Sequence, residues 1–300
     1  MKKTLILLKR NIKLFFKDKA LFFTSLITPL ILLVLYSTFL GNVYRDSFVA
    51  MLEGTPATDA VIDGLVGAQL VSSLLAVSCV TVAFCSNMLM VQDKISGAYS
   101  DFRITPVRPW ELAVSYFAAS AFSTLIIALF AAGLGFIYMG VTGWYLSVAD
   151  ALLIVLDVFI LTVFGTGLSS IVNSFLTSQG QISAVGSIVS SCYGFICGAY
   201  MPISQFSEGL ADVLSFSPGT YATSILRNHA MRGAVEELGA LGVPEFNTDI
   251  VREATDMSID FFGTNVPEWA MLVVISASAA VSCAVYILIC VLRGKKNRRA

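Results

Sequence analysis

Few groups able to do chemistry sit inside the apolar stretches of this chain, and their types limit what that chemistry could be. Gln69, Asn87, Asp157, Asn173 and Gln181 are the polar side chains set within long hydrophobic runs. Asp157 is the ionisable one of these. A carboxylate midway along a membrane-crossing helix is costly to ionise and is a functional candidate by default. A proton relay in a proton-coupled transporter is one use for it, and a hydrogen-bonded structural acid is the other. His229, the single histidine, has no cysteine or acid cluster beside it, so it is expected at the surface rather than on a metal. Cys79, Cys85, Cys192, Cys197, Cys283 and Cys290 all fall in apolar runs without a C-x-x-C spacing. They read as small hydrophobes, not as a zinc site or a redox pair. No Ser-His-Asp set and no carboxylate pair across a cleft can be assembled. The phosphate-cradling pattern G-x-x-x-x-G-K-[ST] is also absent. The chain is therefore not expected to be an enzyme or to hold a cofactor or metal of its own.

The elements that must position these groups are membrane helices. Of 300 residues, 56% are hydrophobic and 13% charged, and the mean hydropathy is +0.80, against about 25% charged for an ordinary soluble domain. Crossing the hydrocarbon layer takes about 20 mostly apolar residues. Six stretches qualify, at 20–40, 64–91, 110–140, 148–175, 180–200 and 267–292, which predicts an all-α polytopic membrane protein forming one domain over 1–300. The first contains Pro29, an expected kink. The fourth and fifth are divided at the polar cluster NSFLTSQGQ, residues 173–181.

Charge orients the spans. Residues 1–19 carry seven Lys/Arg, the tail RGKKNRRA carries five, and the connector 92–109 adds Lys94, Arg103 and Arg108, so fifteen of nineteen cations fall on one side. By the positive-inside rule both termini are expected in the cytoplasm. Trp110, Trp144 and Trp269 fall at predicted span ends, the headgroup level that indoles favour. The N-terminal segment, 1–19, spaces Leu5, Leu8, Ile12 and Phe15 at a helical period with Lys9, Lys13 and Lys17 free to meet headgroups, the pattern of an interfacial amphipathic helix. The net charge of −1 argues for no particular partner; the apolar runs imply the lipid bilayer, and nucleic acid is not expected.

Two polar segments carry structure of their own. Within 92–109, residues 93–103 are predicted to form a short helix with Ile95, Ala98, Tyr99 and Phe102 on one face, ended by Thr105-Pro106. Pro109 then opens the third span. Such a helix can dock in a groove on a partner protein, where an ordinary loop could not. The external segment 201–266 carries nine acids against three arginines. Its first part spaces Leu210, Val213 and Leu214, then Tyr221, Ile225 and Leu226, helically around Pro218, predicting two short helices dipping into the outer leaflet. Residues 233–266 are expected to form a small acidic cap.

In this arrangement the chain resembles the membrane subunit of ABC-2 type ABC transporters, a group that includes bacterial drug, polysaccharide and teichoic-acid exporters. Those permeases join a basic amphipathic N-terminal helix to six spans. After span two they carry an acidic-basic stretch and Gly-Thr-Leu-Glu, then Thr/Ser-Pro-Val/Leu before span three. The matching residues here are Gln92-Asp93-Lys94-Ile95-Ser96-Gly97-Ala98-Tyr99 and Thr105-Pro106-Val107. The outer pattern Asn-Pro-Leu-Thr-Tyr-Ala…Arg is matched by Ser217-Pro218-Gly219-Thr220-Tyr221-Ala222 with Arg227. The chain departs from the pattern at Gln92, at Ala98-Tyr99-Ser100, and at Ser115-Tyr116, where Gly-Lys is usual. The resemblance implies that ATP and Mg are bound by a separate ABC ATPase subunit. That partner would dock on a coupling helix drawing on Asp93, Lys94, Ile95, Gly97, Tyr99, Phe102, Arg103, Thr105 and Pro106, with the N-terminal helix alongside. It also implies a second permease subunit, in a homo- or heterodimer, with spans one, two and five nearest an export path. Pro218, Tyr221 and Arg227 would belong to external re-entrant helices. The expected setting is a bacterial plasma membrane, and the expected cargo an amphipathic drug, lipid or glycolipid. The reading from a different class is a stand-alone secondary transporter or channel that uses Asp157. Within span five, Gly194 and Gly198 form a G-x-x-x-G that would suit helix packing inside one subunit or between two.

Overall fold

The structure, a computed structural model, describes residues 2–242 and 245–296; the side chains of 103, 245–247 and 294–296 lie outside the described residues, as do Arg298 and Arg299 of the basic tail. Helix α1 spans Lys2–Lys17. Asp18 then caps α2, Lys19–Leu35, by accepting from the backbone N of Ala20 and Leu21. The helix continues through Pro29, widens into a π-helical turn at Tyr36–Leu40, and runs on as α3, Gly41–Met51. The first apolar element is therefore 33 residues long, Lys19–Met51, longer than the run 20–40 alone indicated. Thr58 caps α4, Asp59–Ser86, which passes through Asn87 into α5, Met88–Ile95. A short helix α6, Ala98–Ile104, leads to α7, Pro109–Thr142, with Pro109 in its first turn. Ser147 and Asp150 form a capping box that starts α8, Val148–Phe175, and Ser178 with Gln181 does the same for α9, Gln179–Ile196.

Five helical stretches among the described residues are long and apolar enough to cross a membrane: Lys19–Met51, Asp59–Ile95, Pro109–Thr142, Val148–Phe175 and Glu268–Arg293. The chain is thus an all-α, multi-pass membrane protein. Helix α4 lies at its centre, nearly every residue buried, against α2, α7, α8, α9 and a later helix, α11, Pro218–Ala240. The Gly, Ala and Ser side chains along α4 let these neighbours approach closely.

The expected fifth span differs from the others. Helix α9 has 18 residues, about 27 Å at 1.5 Å per residue, and ends where Gly198 takes a φ of +72°. The chain then bends through α10, Glu208–Leu214, into α11, Pro218–Ala240. Pro218 opens α11 as the sequence indicated, but the helix runs for 23 residues and is buried against α4, α8 and the final helix. The acidic cap is correspondingly smaller than expected: α12, Glu245–Ala254, and a two-stranded hairpin of β1, Asp260–Phe261, and β2, Thr264–Asn265, paired antiparallel. Helix α13, Glu268–Lys296, closes the bundle beside α8.

The two ends of the bundle are marked by ion pairs. Arg10 of α1 meets Asp93 of α5, and Arg293 of α13 donates to the Ser174 carbonyl near the C-terminal end of α8, so both terminal helices gather at one end, the terminal side. At the opposite end Arg45 bridges Asp59 and Asp63, and Arg232 bridges Asp150 and Glu268.

Candidate functional site

The segment 92–109 does not form the single helix 93–103 read from its periodicity. It breaks at Ser96 and Gly97, where Gly97 adopts a φ of +85° that closes α5 and opens α6. The break sends the two halves in different roles. Asp93 and Lys94 belong to the end of the second span and point into the bundle. Asp93 is buried and accepts a bidentate bond from Arg10, Nη1 to Oδ2 at 2.5 Å and Nη2 to Oδ1 at 3.0 Å, while Tyr116 of α7 donates to Oδ2. The hydrogen bond to Asp93 holds the Arg10 guanidinium above its ordinary pKa against the cost of partial burial. Lys94 donates from Nζ to the carbonyls of Asn173, Ser174 and Leu176, at 3.0, 2.8 and 3.1 Å, and so neutralises the negative end of α8.

The aromatic face expected to dock on a partner also turns inward. Tyr99 stacks on Tyr116, with ring centroids 6.5 Å apart, and Phe102 lies 5.0 Å beneath the Arg10 guanidinium. Thr105 closes α6 by donating to the Phe102 carbonyl, and the Pro106 carbonyl accepts from Lys3 Nζ at 2.8 Å. What α6 presents outward is Ile104, 88% exposed, with Ser100 and Asp101, and Ile95 at the end of α5 is exposed as well. Arg103 lies on α6 by backbone, its side chain outside the described residues. On the terminal side α1 and α6 are thereby fixed to the spans, with an apolar residue projecting from the junction.

Three of the intramembrane polar residues, Gln69, Asn87 and Asp157, are tied to other helices, while Asn173 and Gln181 lie at helix ends. Asn87, between α4 and α5, donates from Nδ2 to Ser169 and Ser170 of α8 and accepts from Ser120 of α7. Gln181 caps α9 by accepting from the Thr177 and Ser178 backbone. Asn173 is buried at the end of α8. Gln69 of α4, with its amide oxygen turned to the guanidinium, lies 3.3 Å from both Nη2 and Nε of Arg227. Asp157 meets His229, Oδ2 to Nδ1 at 2.5 Å, with both side chains 5% exposed. His229 is therefore not the surface residue its neighbours in sequence suggested. It lies on the buried side of α11 and ties that helix to α8.

Arg227 is the centre of a second cluster. Its side chain is fully buried and reaches Asp256 Oδ2 at 3.1 Å, the Gly198 carbonyl at 2.5 Å and Ser73 Oγ at 3.4 Å. Asp256, at a φ of +54°, accepts in addition from the backbone N of Ile203 and Ser204. One ion pair thus joins α4, the end of α9, α11 and the segment after α12. Tyr221, near the start of α11, is buried in the same core. Gly198 serves this cluster through its carbonyl, and Gly194 is covered by the ring of Tyr200, so the G-x-x-x-G packs within the subunit.

Sequence periodicity did not single out Arg10, Tyr116, Asp256 or Ile104. A buried Arg227 demands an acid, and nine acids in 201–266 could have supplied it. A signal for His229 was present: Tyr221, Ile225 and His229 follow one another at four-residue spacing, the same helical stripe.

No metal-binding group of three or more His, Cys, Asp or Glu side chains occurs among the described residues. Comparison with curated protein sequences returns no match. A family model described as ABC-2 type transporter matches residues 2–230, from the terminal-side helix α1 through the buried first half of α11, and the chain belongs to that family of membrane permeases.

Proposed function

We propose that this permease is the membrane subunit of an exporter, in which two copies, or this chain and a related one, face each other across a path for an amphipathic drug, lipid or glycolipid-like molecule. The terminal side faces the cytoplasm, where fifteen of nineteen cations are expected, in a bacterial plasma membrane. A separate ABC ATPase, holding ATP and Mg, docks over Ile104 and the adjoining part of α1. Its movement reaches the spans through the Arg10–Asp93–Tyr116 contacts and through Lys94 on the end of α8. Helices α9 and α11 together make a sixth crossing, α9 rising from the terminal side and α11 completing the way to the opposite end.

The observation that carries this reading is the uncovered face of α9. Ser183, Ser187 and Ser191, at four-residue spacing, are exposed together with Gln181 and Ser190. A polar-flecked stripe at membrane depth is poorly suited to lipid and well suited to a partner subunit or an amphipathic solute. The Asp157–His229 pair, by contrast, is buried and joins α8 to α11, which favours a structural role for this carboxylate over that of a secondary transporter's relay.

Two measurements test the proposal. Cysteines placed at Ser187 and Ser191, in a background lacking the native cysteines, should react with a water-soluble thiol reagent at a rate that changes when the ATPase turns over. Equal, nucleotide-independent protection at both positions would place the stripe in lipid and refute the path. Ile104→Asp should reduce co-purification of the ATPase at least tenfold without lowering thermal stability, and undiminished co-purification would remove α6 as the docking element.

A further inference from the structure

The space behind α6 holds more than a helix junction. A cleft of about 580 Å³ opens there between α5, α6, the first turn of α7 and the terminal-side ends of α8 and α13. We infer that it is a binding site for one anionic phospholipid, with the headgroup phosphate on Arg108 and Arg293 and the upper acyl chains along Met90 and Leu112.

Charge is the first argument. Lys94, Arg108 and Arg293 all line the cleft, and none of its lining residues among those described is acidic. Lys94 and Arg293 both sit on the C-terminal end of α8, Arg293 donating to the Ser174 carbonyl at 2.7 Å. A helix C-terminus carries roughly half a negative charge, so two full cations there leave an uncompensated excess of about one and a half. Arg108, which makes no side-chain hydrogen bond or ion pair among the described residues, adds a further charge. The nearest acid on α7, Glu111, is buried and turned to cap that helix at the Arg108 backbone N.

Donor geometry is the second argument. The Lys94 ammonium spends its three donors on the Asn173, Ser174 and Leu176 carbonyls and contributes only field. Arg293, steadied 4.3 Å over the Phe175 ring, has further N–H donors to offer, as does Arg108. Two guanidinium groups on the wall of the cleft, one of them held on Phe175 and the Ser174 carbonyl, suit a phosphate diester, which accepts bidentately.

Size and setting decide between a lipid and a free anion. The cleft is far larger than a phosphate ion and within the range that encloses a drug-sized ligand. Met90, Val107, Leu112 and Cys290 make apolar walls, and Ser100, Ser174 and Thr177 add polar ones. It opens at headgroup level, beside the exposed Trp110 at the start of α7 and the exposed Leu292 near the end of α13. Basic pockets between membrane helices at this level select anionic headgroups. The inference requires only that the chain is embedded in a bilayer, so its test is separate from docking and transport.

The full-length chain, reconstituted in discs of phosphatidylcholine with a few per cent phosphatidylglycerol and released into mild detergent, would be weighed intact by native mass spectrometry. One phosphatidylglycerol per chain should remain, enriched at least tenfold over its share of the disc. Arg108→Gln/Arg293→Gln should lose that enrichment, and Arg108→Lys/Arg293→Lys should keep most of it. Lys13→Gln, a cation on the exposed side of α1, should change nothing. Should the glutamine pair fail to fold, Leu112→Trp fills the apolar half with the cations intact and should give the same loss. Equal retention of the two lipids by the wild type, or unchanged retention by the glutamine pair, would overturn the site. Displacement of the lipid by millimolar inorganic phosphate would overturn the lipid and leave a free-anion site.

Discussion

Asp256→Asn should be the most damaging isosteric substitution outside the transmembrane helices. The side chain of Arg227 is fully buried and that of Asp256 is 5% exposed, so little solvent screens the pair. Asparagine preserves shape and tolerates the left-handed backbone at φ +54°. It nevertheless removes the charge that compensates Arg227, and it brings an amide NH2 towards the backbone N–H groups of Ile203 and Ser204, which now donate to the carboxylate. Breaking one partner of a buried ion pair costs about 3–5 kcal/mol, or about two to three and a half powers of ten in the folded-to-unfolded ratio. Unfolding of the purified protein in mixed micelles, titrated with sodium dodecyl sulfate and followed by circular dichroism, would measure the loss. Hydrogen exchange across 198–204 should rise in parallel, because that segment hangs on Asp256. Arg227→Met/Asp256→Asn removes both charges, and should recover about 2 kcal/mol or more relative to Asp256→Asn alone. A cost below about 1 kcal/mol for the single variant, or strict additivity in the double, would show that the pair does not hold the segment together.

Three further outcomes follow from local geometry. Gly233→Ala would drive a methyl into the backbone carbonyl of Tyr145, which cannot step aside, at a cost of about 1–3 kcal/mol; Gly239→Ala on the same helix meets open space and should stabilise by about 0.5–1 kcal/mol, so thermal melting of the two should shift in opposite directions. Asp157→Asn keeps a hydrogen-bonding group on His229 and should leave transport in vesicles within about threefold, whereas Asp157→Leu strands a buried imidazole at about 1–3 kcal/mol; loss of transport by a folded Asp157→Asn protein would make the carboxylate functional. Arg10→Gln breaks the bidentate bond to Asp93 and should cost about 2–3 kcal/mol, less than a fully buried pair because Arg10 is 30% exposed; chevron-free equilibrium unfolding, compared with Lys13→Gln, would isolate it.

Five of the six expected spans were legible because about twenty apolar residues in a row are a property of the chain itself, and Pro109, Pro218, Ser147 and Ser178 mark helix starts by local chemistry alone. The break at Gly97 was legible too, since Ser-Gly within a helical pattern invites a left-handed turn, but the aromatic spacing of Tyr99 and Phe102 masked it. Those rings are regularly spaced because they pack on Tyr116 and Arg10, and an inward face and a docking face have the same period. The choice of Asp256 for Arg227 was not legible, because it is made by the return of a segment 29 residues away.

The segment 201–266 shows the same limit from the other direction. Arg227, Asn228 and His229 are consecutive, polar and all buried. Three successive residues point to three sides of a helix, so a helix that buries all three must be surrounded. In sequence such a tripeptide reads as the tip of a solvated loop. What separates the two cases is the flanking stripe of Tyr221 and Ile225, which continues in phase through His229 and would have no reason to do so in a loop. The polar groups of α11 are therefore evidence of depth: each has an internal partner, Asp256 for Arg227, the Met257 carbonyl for Asn228 and Asp157 for His229. A helix that enters the bundle only by satisfying three polar side chains has one register in which it fits. That constraint holds α11 against α4 and α8.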